Sequence, residues 1–397
     1  MEQLRLKSNH LVSGVSTSYV RTLHPEIDWE KPLVGIIGPR GVGKTTLLLQ
    51  QIKLSYGVDP RALYITLDDI YLAGRSLREF TAEFRSKGGK HLFIDDIQKQ
   101  PQWSLELKNI FETLPDIKIT FAGSSTIEMV KHYANLTQRA RIHNLSTLSF
   151  REYLGFKGVA KLPRYDLQTI LSSHMDIAAE HIQQFSPNLH LDDYLTRGNY
   201  PLPTESYEDY KRQVERFVSD TIEMDMRYLE GFDSRNVYKV KQLVNIIAQN
   251  SPFKPNLVHI SEEIGVHRNT LISYFFHLEK AKLINLIYPA GVNVSILQKP
   301  HRVYLSNSNL ANMLSAMPPQ RSIVAQNFAI QHLSALLPVT LINKNIFELD
   351  SNWHMVVSVP EQRIRKTPTG RNIYTFSDVY EVGTSSKIPL WVLGLLY

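Results

Sequence analysis

The chain of 397 residues contains no cysteine. That excludes disulfides and thiolate metal sites, and it fits a reducing compartment. Long apolar runs are missing as well. No stretch approaches the roughly 18 consecutive apolar residues of a membrane-spanning helix. The C-terminal IPLWVLGLLY is apolar but too short to span, and it reads as a buried strand. The opening MEQLRLKSNHLVSG lacks a long apolar segment followed by a small-residue cleavage site. No export signal is expected there, and a cytoplasmic location is the default. Internal repeats and low-complexity segments are absent too. Charge of either sign is not in large excess: the net value of +6 accounts for solubility and permits, without demanding, contact with a polyanion.

What is present suggests about two or three domains. Residues 1–30 form a polar lead-in. Between residues 31 and 150, short apolar runs alternate with helical patterns: VGIIG, ALYITLDD, KHLFIDD and KITFAGSS as strands, KTTLLLQQIKL, SLREFTAEFRS and SLELKNIFETL as helices. This alternation predicts an α/β domain with a parallel sheet flanked by helices. Residues 151–235 read as a helical lid segment, with apolar positions at helical spacing in LQTILSSHMDIAAEHIQQF and SYEDYKRQVERFVSDTIEMDM, broken by Gly198, Pro201 and Pro203. Residues 236–306 read as a compact helical unit with a hairpin, a winged-helix pattern. Residues 307–397 read as a small mixed α/β domain in which RIRKTPTGRN is an exposed loop.

The chemistry concentrates at Gly38-Pro39-Arg40-Gly41-Val42-Gly43-Lys44-Thr45, which fits the phosphate-loop spacing G-x-x-x-x-G-K-[ST]. The glycines let successive backbone N–H groups turn inward around a phosphate. The helix starting near Gly43 aims its positive end at the same anion, and Thr46, next after the motif, is counted with the nucleotide-binding residues. Lys44 suits the β- and γ-phosphates and the Thr45 hydroxyl suits Mg²⁺. The strand before the motif and the helix after it are the context that the pattern requires. A metal partner is expected from HLFIDD, with Asp95 toward Mg²⁺ and Asp96 as general base for the attacking water. Asp68 and Asp69 read as surface caps. Ser124, ending KITFAGSS, either bonds the water or γ-phosphate or caps the next helix; Ser125 shares that choice. Arg139 and Arg141 either meet a γ-phosphate, in this chain or a neighbour, or make surface ion pairs. The histidines are scattered without ligand spacing, so no metal beyond Mg²⁺ carried with ATP is expected.

GPRGVGKTT, HLFIDDIQ, ITFAGSS, LTQRAR with LSFREYL, YLTRGNYP and EIGVHRNTLISYFFHLEKAKLI together resemble a large family of prokaryotic AAA-type ATPases. Members of that family are alike over nearly the whole chain. The resemblance implies an N-terminal P-loop domain that binds ATP, a winged-helix segment and a C-terminal region similar to restriction-endonuclease folds. Adenine over guanine preference rests on the resemblance alone. Two departures stand out. The family usually carries Asp-Glu where this chain has Asp95-Asp96, one methylene shorter, which puts the hydrolysis rate in question. The C-terminal acidic pattern is incomplete: Glu381 and Lys387 are too far apart for a D…E-x-K centre, and Glu348 with Asp350 lacks the lysine. A nuclease needs clustered carboxylates and a lysine, so a degenerate, structural domain is expected.

VHISEEIGVHRNTLISYFFHLEKAKLI reads as a helix capped by Ser261, with Glu262 and Glu263 in its first turn, then a turn at Gly265 and a second helix. Ile264, Val266, Leu271, Ile272, Phe275 and Leu278 are the expected buried face. Arg268, Asn269 and Thr270 open the second helix, where helix-turn-helix proteins meet base edges. QKPHRVYL would be a wing with Lys299, His301 and Arg302 near phosphates. The weakly basic surface and the two glutamates argue equally for a lid or a protein-docking module. The expectation is therefore a Mg-ATP-binding ATPase acting as a nucleotide-dependent switch whose client is unknown, with DNA or a protein as possible partners. The alternative is a DNA-binding scaffold with a slow or inactive ATPase. A DNA-cleaving protein is a third reading. Oligomeric state and client are not legible.

Overall fold

A computed structural model of the chain describes residues 1–100, 102–124, 136, 138–204, 206–229, 232–291, 299–343, 346–349, 353–358, 373–385 and 387–397. Ser125, Asp350 and the RIRKTPTGRN run lie outside them. The chain forms two compact units, residues 1–146 with 223–234, and residues 147–222 with 235–397.

In the first unit the elements run α1 (Glu2–Gly14), β1 (Leu33–Gly38), α2 (Lys44–Ser55), β2 (Ala62–Thr66), α3 (Leu77–Ser86), β3 (His91–Asp95), α4 (Trp103–Thr113), β4 (Lys118–Ser124) and β5 (Arg141–Asn144). The strands form one sheet in the order β2-β3-β4-β1-β5, every pairing parallel. The expected doubly covered α/β sheet is present. Along β1 all six residues are buried, and they split by alternation. Leu33 and Ile37 join Leu77, Phe80, Phe84, Trp103 and Leu107 of α3 and α4 on one face. Val34 and Ile36 join Leu47, Leu48 and Ile52 of α2 on the other. A period of two with both faces apolar is the signature of a parallel strand buried on both sides. In space the strand between β1 and β3 is β4, while β2 lies at the edge.

The lead-in is not irregular, as its polarity suggests. It is α1, whose Leu4, Ser8 and Val12 recur every four residues and are buried. Ser8 Oγ accepts a bond from the Tyr64 N–H at 3.1 Å, fixing the helix to β2.

The second unit runs α5 (Phe150–Phe156), α6 (Leu167–His181), α7 (Pro187–Arg197), α8 (Tyr207–Asp220), α9 (Val237–Asn250), α10 (Leu257–Glu263), α11 (Arg268–Lys280), β6 (Ile284–Pro289), β7 (Arg302–Leu305), α12 (Ser308–Leu314), α13 (Arg321–Ser334), β8 (Val339–Asn343), β9 (Ile346–Leu349), β10 (Trp353–Ser358), β11 (Ile373–Ser377) and β12 (Lys387–Pro389). Ser149 and Glu152 close α5 with a reciprocal capping box. The second sheet is mixed, ordered β12-β11-β10-β9-β8-β6-β7. β6 pairs with β7 through Ile284–Ile287 and with β8 through Tyr288 and Pro289. The helix-turn-helix hairpin and the C-terminal region therefore share one sheet, whereas the sequence reading separates them at residue 306. The tail is strand only over Lys387–Pro389; Leu390–Leu395 is a buried 3₁₀ helix.

The YLTRGNYP run is structural. Asn199, fully buried, accepts from the Asn309 N–H at 3.2 Å and donates to Tyr194 Oη and Gln331 Oε1 at 2.8 and 3.0 Å. Asn309 Nδ2 in turn donates to the last-turn carbonyls of Tyr194 and Leu195 in α7. A buried polar cluster of this kind is tolerable only when its members are paired.

Candidate phosphate-binding site

Parallel sheets gather ligands at the C-terminal ends of their strands. Here β1 ends at Gly38, β3 at Asp95 and β4 at Ser124, and the register sets Gly38 directly beside Ser124. The loop from Gly38 to Gly43 leads into α2. Gly41 and Gly43 sit at φ +79° and +93°, a region costly for residues with a side chain. A Cβ on Gly38 would lie 2.2 Å from the Leu145 carbonyl oxygen, so this position admits no side chain. Arg21, buried, donates to the carbonyls of Val42 and Ser146 at 2.7 and 2.9 Å. It pins the loop from behind.

Lys44 Nζ donates to the carbonyls of Gly38 and Pro39, both at 2.8 Å, so the ammonium is folded into the loop. Burial pushes it below its ordinary range, while the carboxylates of Asp225, Asp95 and Asp96 pull it back up. Thr45 Oγ1 donates to Asp95 Oδ2 at 2.5 Å, and Tyr64 Oη donates to the same oxygen at 3.0 Å. Asp95 is 5% exposed. Its burial, and next the charge of Asp96, hold its carboxyl above the usual range.

Asp96 takes a left-handed conformation, φ +53°, tolerable for aspartate. Both its oxygens are engaged: Gln98 Nε2 donates to Oδ1 at 3.2 Å, and Lys99 pairs with Oδ2 at 3.3 Å. Gln98 Oε1 also accepts the Ser124 N–H at 3.3 Å, so one side chain ties the ends of β3 and β4 together. Asp68 pairs with Lys99, and Asp69 caps the turn at Tyr71 and pairs with Lys7.

The expected residues thus converge, with exceptions. Arg139 pairs with Glu112, near the end of α4, at 2.8 Å. Arg141 begins β5 beside Val34, four residues before Gly38, which is about 13 Å along a strand. β5 runs parallel to β1, so Arg141 and the preceding Arg139 lie toward the starting end of the strands, away from the end that carries the loop. Tyr64, Gln98, Lys99 and Asp225 escape the sequence reading. Gln98 and Lys99 follow the acidic pair at turn spacing, a local signal; Asp225 lies 185 residues from its partner Arg40, and no local pattern could find it.

In the second unit α10 is capped by Asn256, and Ser261 lies inside the helix, bonding the Val258 carbonyl. Glu262 and Glu263 fall in its last turn, since the helix begins earlier than expected. Gly265 turns the chain at φ +64°. Ile264, Leu271, Ile272, Phe275 and Leu278 are buried and Val266 is half-buried. Arg268 and Asn269 are exposed at the start of α11, Thr270 is half-buried, and Arg302 bonds Tyr304 Oη at 3.3 Å. Lys299 is exposed and His301 half-buried. Glu348 accepts from Thr340, Glu381 from the Asn188 N–H, and Lys387 donates to Tyr380. Among the described residues no three His, Asp or Glu side chains cluster as metal ligands.

Residues 30–154 match the family model of an AAA domain. Residues 188–321 match that of a domain of unknown function, DUF8612. An uncharacterized protein of Methanocaldococcus jannaschii is 26% identical over 287 residues, covering 69% of this chain. The chain spans about 60% of the length of that curated relative. Among solved structures, AMPPCP-bound DnaA from Aquifex aeolicus aligns at 17% identity over 66% of this chain and 85% of its own, with a TM-score of 0.27. C. elegans PCH-2 aligns at 13% identity over 71% and 66%, with a TM-score of 0.25. Scores this low leave the fold to its own strand order and register. Among the described residues no helix is long and apolar enough to cross a membrane.

Proposed function

We propose that the chain is a Mg-ATP-binding AAA-type ATPase that works as a nucleotide-dependent switch on a protein client. The observation that carries this reading is the junction of Thr45 and Asp95, 2.5 Å apart, where a glycine loop enters α2. A hydroxyl and a carboxylate meeting there suit a hard cation. Thr45 and Asp95 would hold Mg²⁺, which when bound neutralises charge on the β- and γ-oxygens. The loop N–H groups and Lys44 would bind the phosphates, with Lys44 exchanging the Gly38 and Pro39 carbonyls for phosphate oxygens. Asp96 would take a proton from the water attacking the γ-phosphorus, as the bond to the ADP oxygen breaks. Ser124 and Gln98 would position that water. Engagement of Asp96 by Lys99 and Gln98 supports a slow, gated turnover. Residues 150–310 would respond to nucleotide through changed protease sensitivity.

The test is thermal unfolding with and without Mg-ATP. Mg-ATP should raise the first unit's melting temperature in the wild type and leave Lys44→Ala unmoved. Equal shifts in both would contradict the reading.

A second reading is a DNA-binding winged helix whose ATPase serves as a scaffold. It is favoured by the exposed Arg268 and Asn269 opening α11, with the β6–β7 hairpin following. It requires salt-sensitive duplex binding that Arg268→Ala weakens; binding that ignores salt and the substitution would remove it.

A further inference from the structure

Regular helix α8 stops at Asp220 and gives way to a π-helical turn, Thr221–Asp225, then a 3₁₀ turn, Met226–Tyr228. Single π turns are frequent at functional positions. Asp225 and Met226 are each 1% exposed or less, while Arg227 is exposed. The Asp225 carboxylate accepts two bonds from one guanidinium: Arg40 Nε to Oδ2 at 3.0 Å and Arg40 Nη2 to Oδ1 at 2.8 Å. Arg40 belongs to the phosphate loop itself. Among the charges acting on Lys44, the same carboxylate ranks first. Residues 223–234 belong to the first unit, yet the chain on either side of them belongs to the second.

A carboxylate this buried is tolerable only while paired. Two others, Asp95 and Asp96, already stand at the site. A triphosphate brings several further negative charges to Arg40 and Lys44. Asp225 and the terminal phosphate therefore compete for the same cations. If Arg40 turns to phosphate, Asp225 is stranded in a dry place and must move toward water.

We infer that Asp225 is an internal anion that competes for Arg40 with the terminal phosphate of a nucleoside triphosphate, and that binding of the triphosphate displaces it and releases residues 223–229. The inference rests on the loop being a nucleotide site. It adds a specificity role: a diphosphate competes less well, so the Arg40–Asp225 pair distinguishes triphosphate from diphosphate.

The experiment is a titration of the full chain with mant-ATP and mant-ADP in Mg²⁺, for wild type and Asp225→Asn. The amide keeps the shape and one acceptor but removes the charge. Asp225→Asn should bind mant-ATP on the order of tenfold more tightly, with mant-ADP changing much less. Trypsin supplies an independent arm on the wild type: AMP-PNP should speed cleavage after Arg227 and ADP should not. Parallel changes for both nucleotides, or none, in a variant that still binds would overturn the competition while leaving the nucleotide site standing. Should Asp225→Asn fail to fold, equal cleavage after Arg227 with AMP-PNP and ADP would overturn it. Binding of neither nucleotide by either protein would remove the nucleotide site and the competition with it.

Discussion

At the level of the single residue, the proposed turnover rests on Asp96. Its carboxylate is one methylene shorter than glutamate, and both oxygens are already held, by Gln98 and Lys99. Asp96→Glu extends the reach toward a water and should raise ATP turnover by about tenfold, within the range that a positioned base supplies; unchanged turnover would assign Asp96 to structure alone. His91 makes a different prediction. It is buried against Phe93 and Thr120, and burial pushes its imidazole down to about 3, with the Lys118 charge adding to the effect. The folded state keeps it neutral, while the unfolded chain protonates it near 6.5. Its contribution is complete above pH 6.5 and is lost as pH falls from there toward 3, at about 1.4 kcal/mol per pH unit. Denaturant midpoints measured between pH 7 and 4.5 should therefore fall less steeply in His91→Gln than in the wild type. Identical slopes would show that this ring titrates in the folded state.

Within the elements, pattern and packing are separable. The first four strands of the first sheet are legible because β-branched and aromatic runs buried on both faces leave few alternatives, and the loop motif fixes where β1 ends and α2 begins; β5, the polar RIHN with exposed ends, is not legible. Helix α1 is hidden because only three of its positions face inward, too narrow a stripe to stand out among polar residues. The start of α10 is misplaced because Asn256 and Ser261 are both competent caps, and the buried Leu257 decides between them. Packing also explains a residue that no motif demands. A Cβ on Gly35 would stand 2.5 Å from the Phe121 ring and 2.6 Å from Ile142, so β1 accepts its neighbours only through a glycine. Gly35→Ala should lower stability by about 1–3 kcal/mol in denaturant titrations. A second change, Phe121→Leu, should recover part of that loss; no recovery would place the strain elsewhere.

At the scale of the whole molecule, local reading reaches its limit where distant segments meet. The α/β sheet and the convergence of Lys44, Thr45, Asp95, Asp96 and Ser124 follow from local spacing plus the rule that parallel strands present ligands at one end; the strand order, with β4 between β1 and β3, does not. Arg139 and Arg141 escape that reasoning because β5 is not legible as a strand, and it is β5, parallel to β1, that sets them at its starting end. Asp225 fails it because its partner is far along the chain. The β6–β8 pairing fails it because a hairpin strand that continues into a second sheet looks like the end of a domain. One consequence is that residues 236–306 lack their sheet partner when produced alone. Such a fragment should give the far-ultraviolet dichroism and amide dispersion of a largely unfolded chain, and a well-dispersed spectrum would restore it as an independent domain. The central claim, that the glycine loop and its two aspartates turn over ATP, is tested most directly by steady-state phosphate release from Mg-ATP by the purified wild type beside Lys44→Ala. The account predicts slow, saturable release in the wild type and none above background in the variant. Release that survives Lys44→Ala undiminished, or a wild type that releases no phosphate, would contradict it.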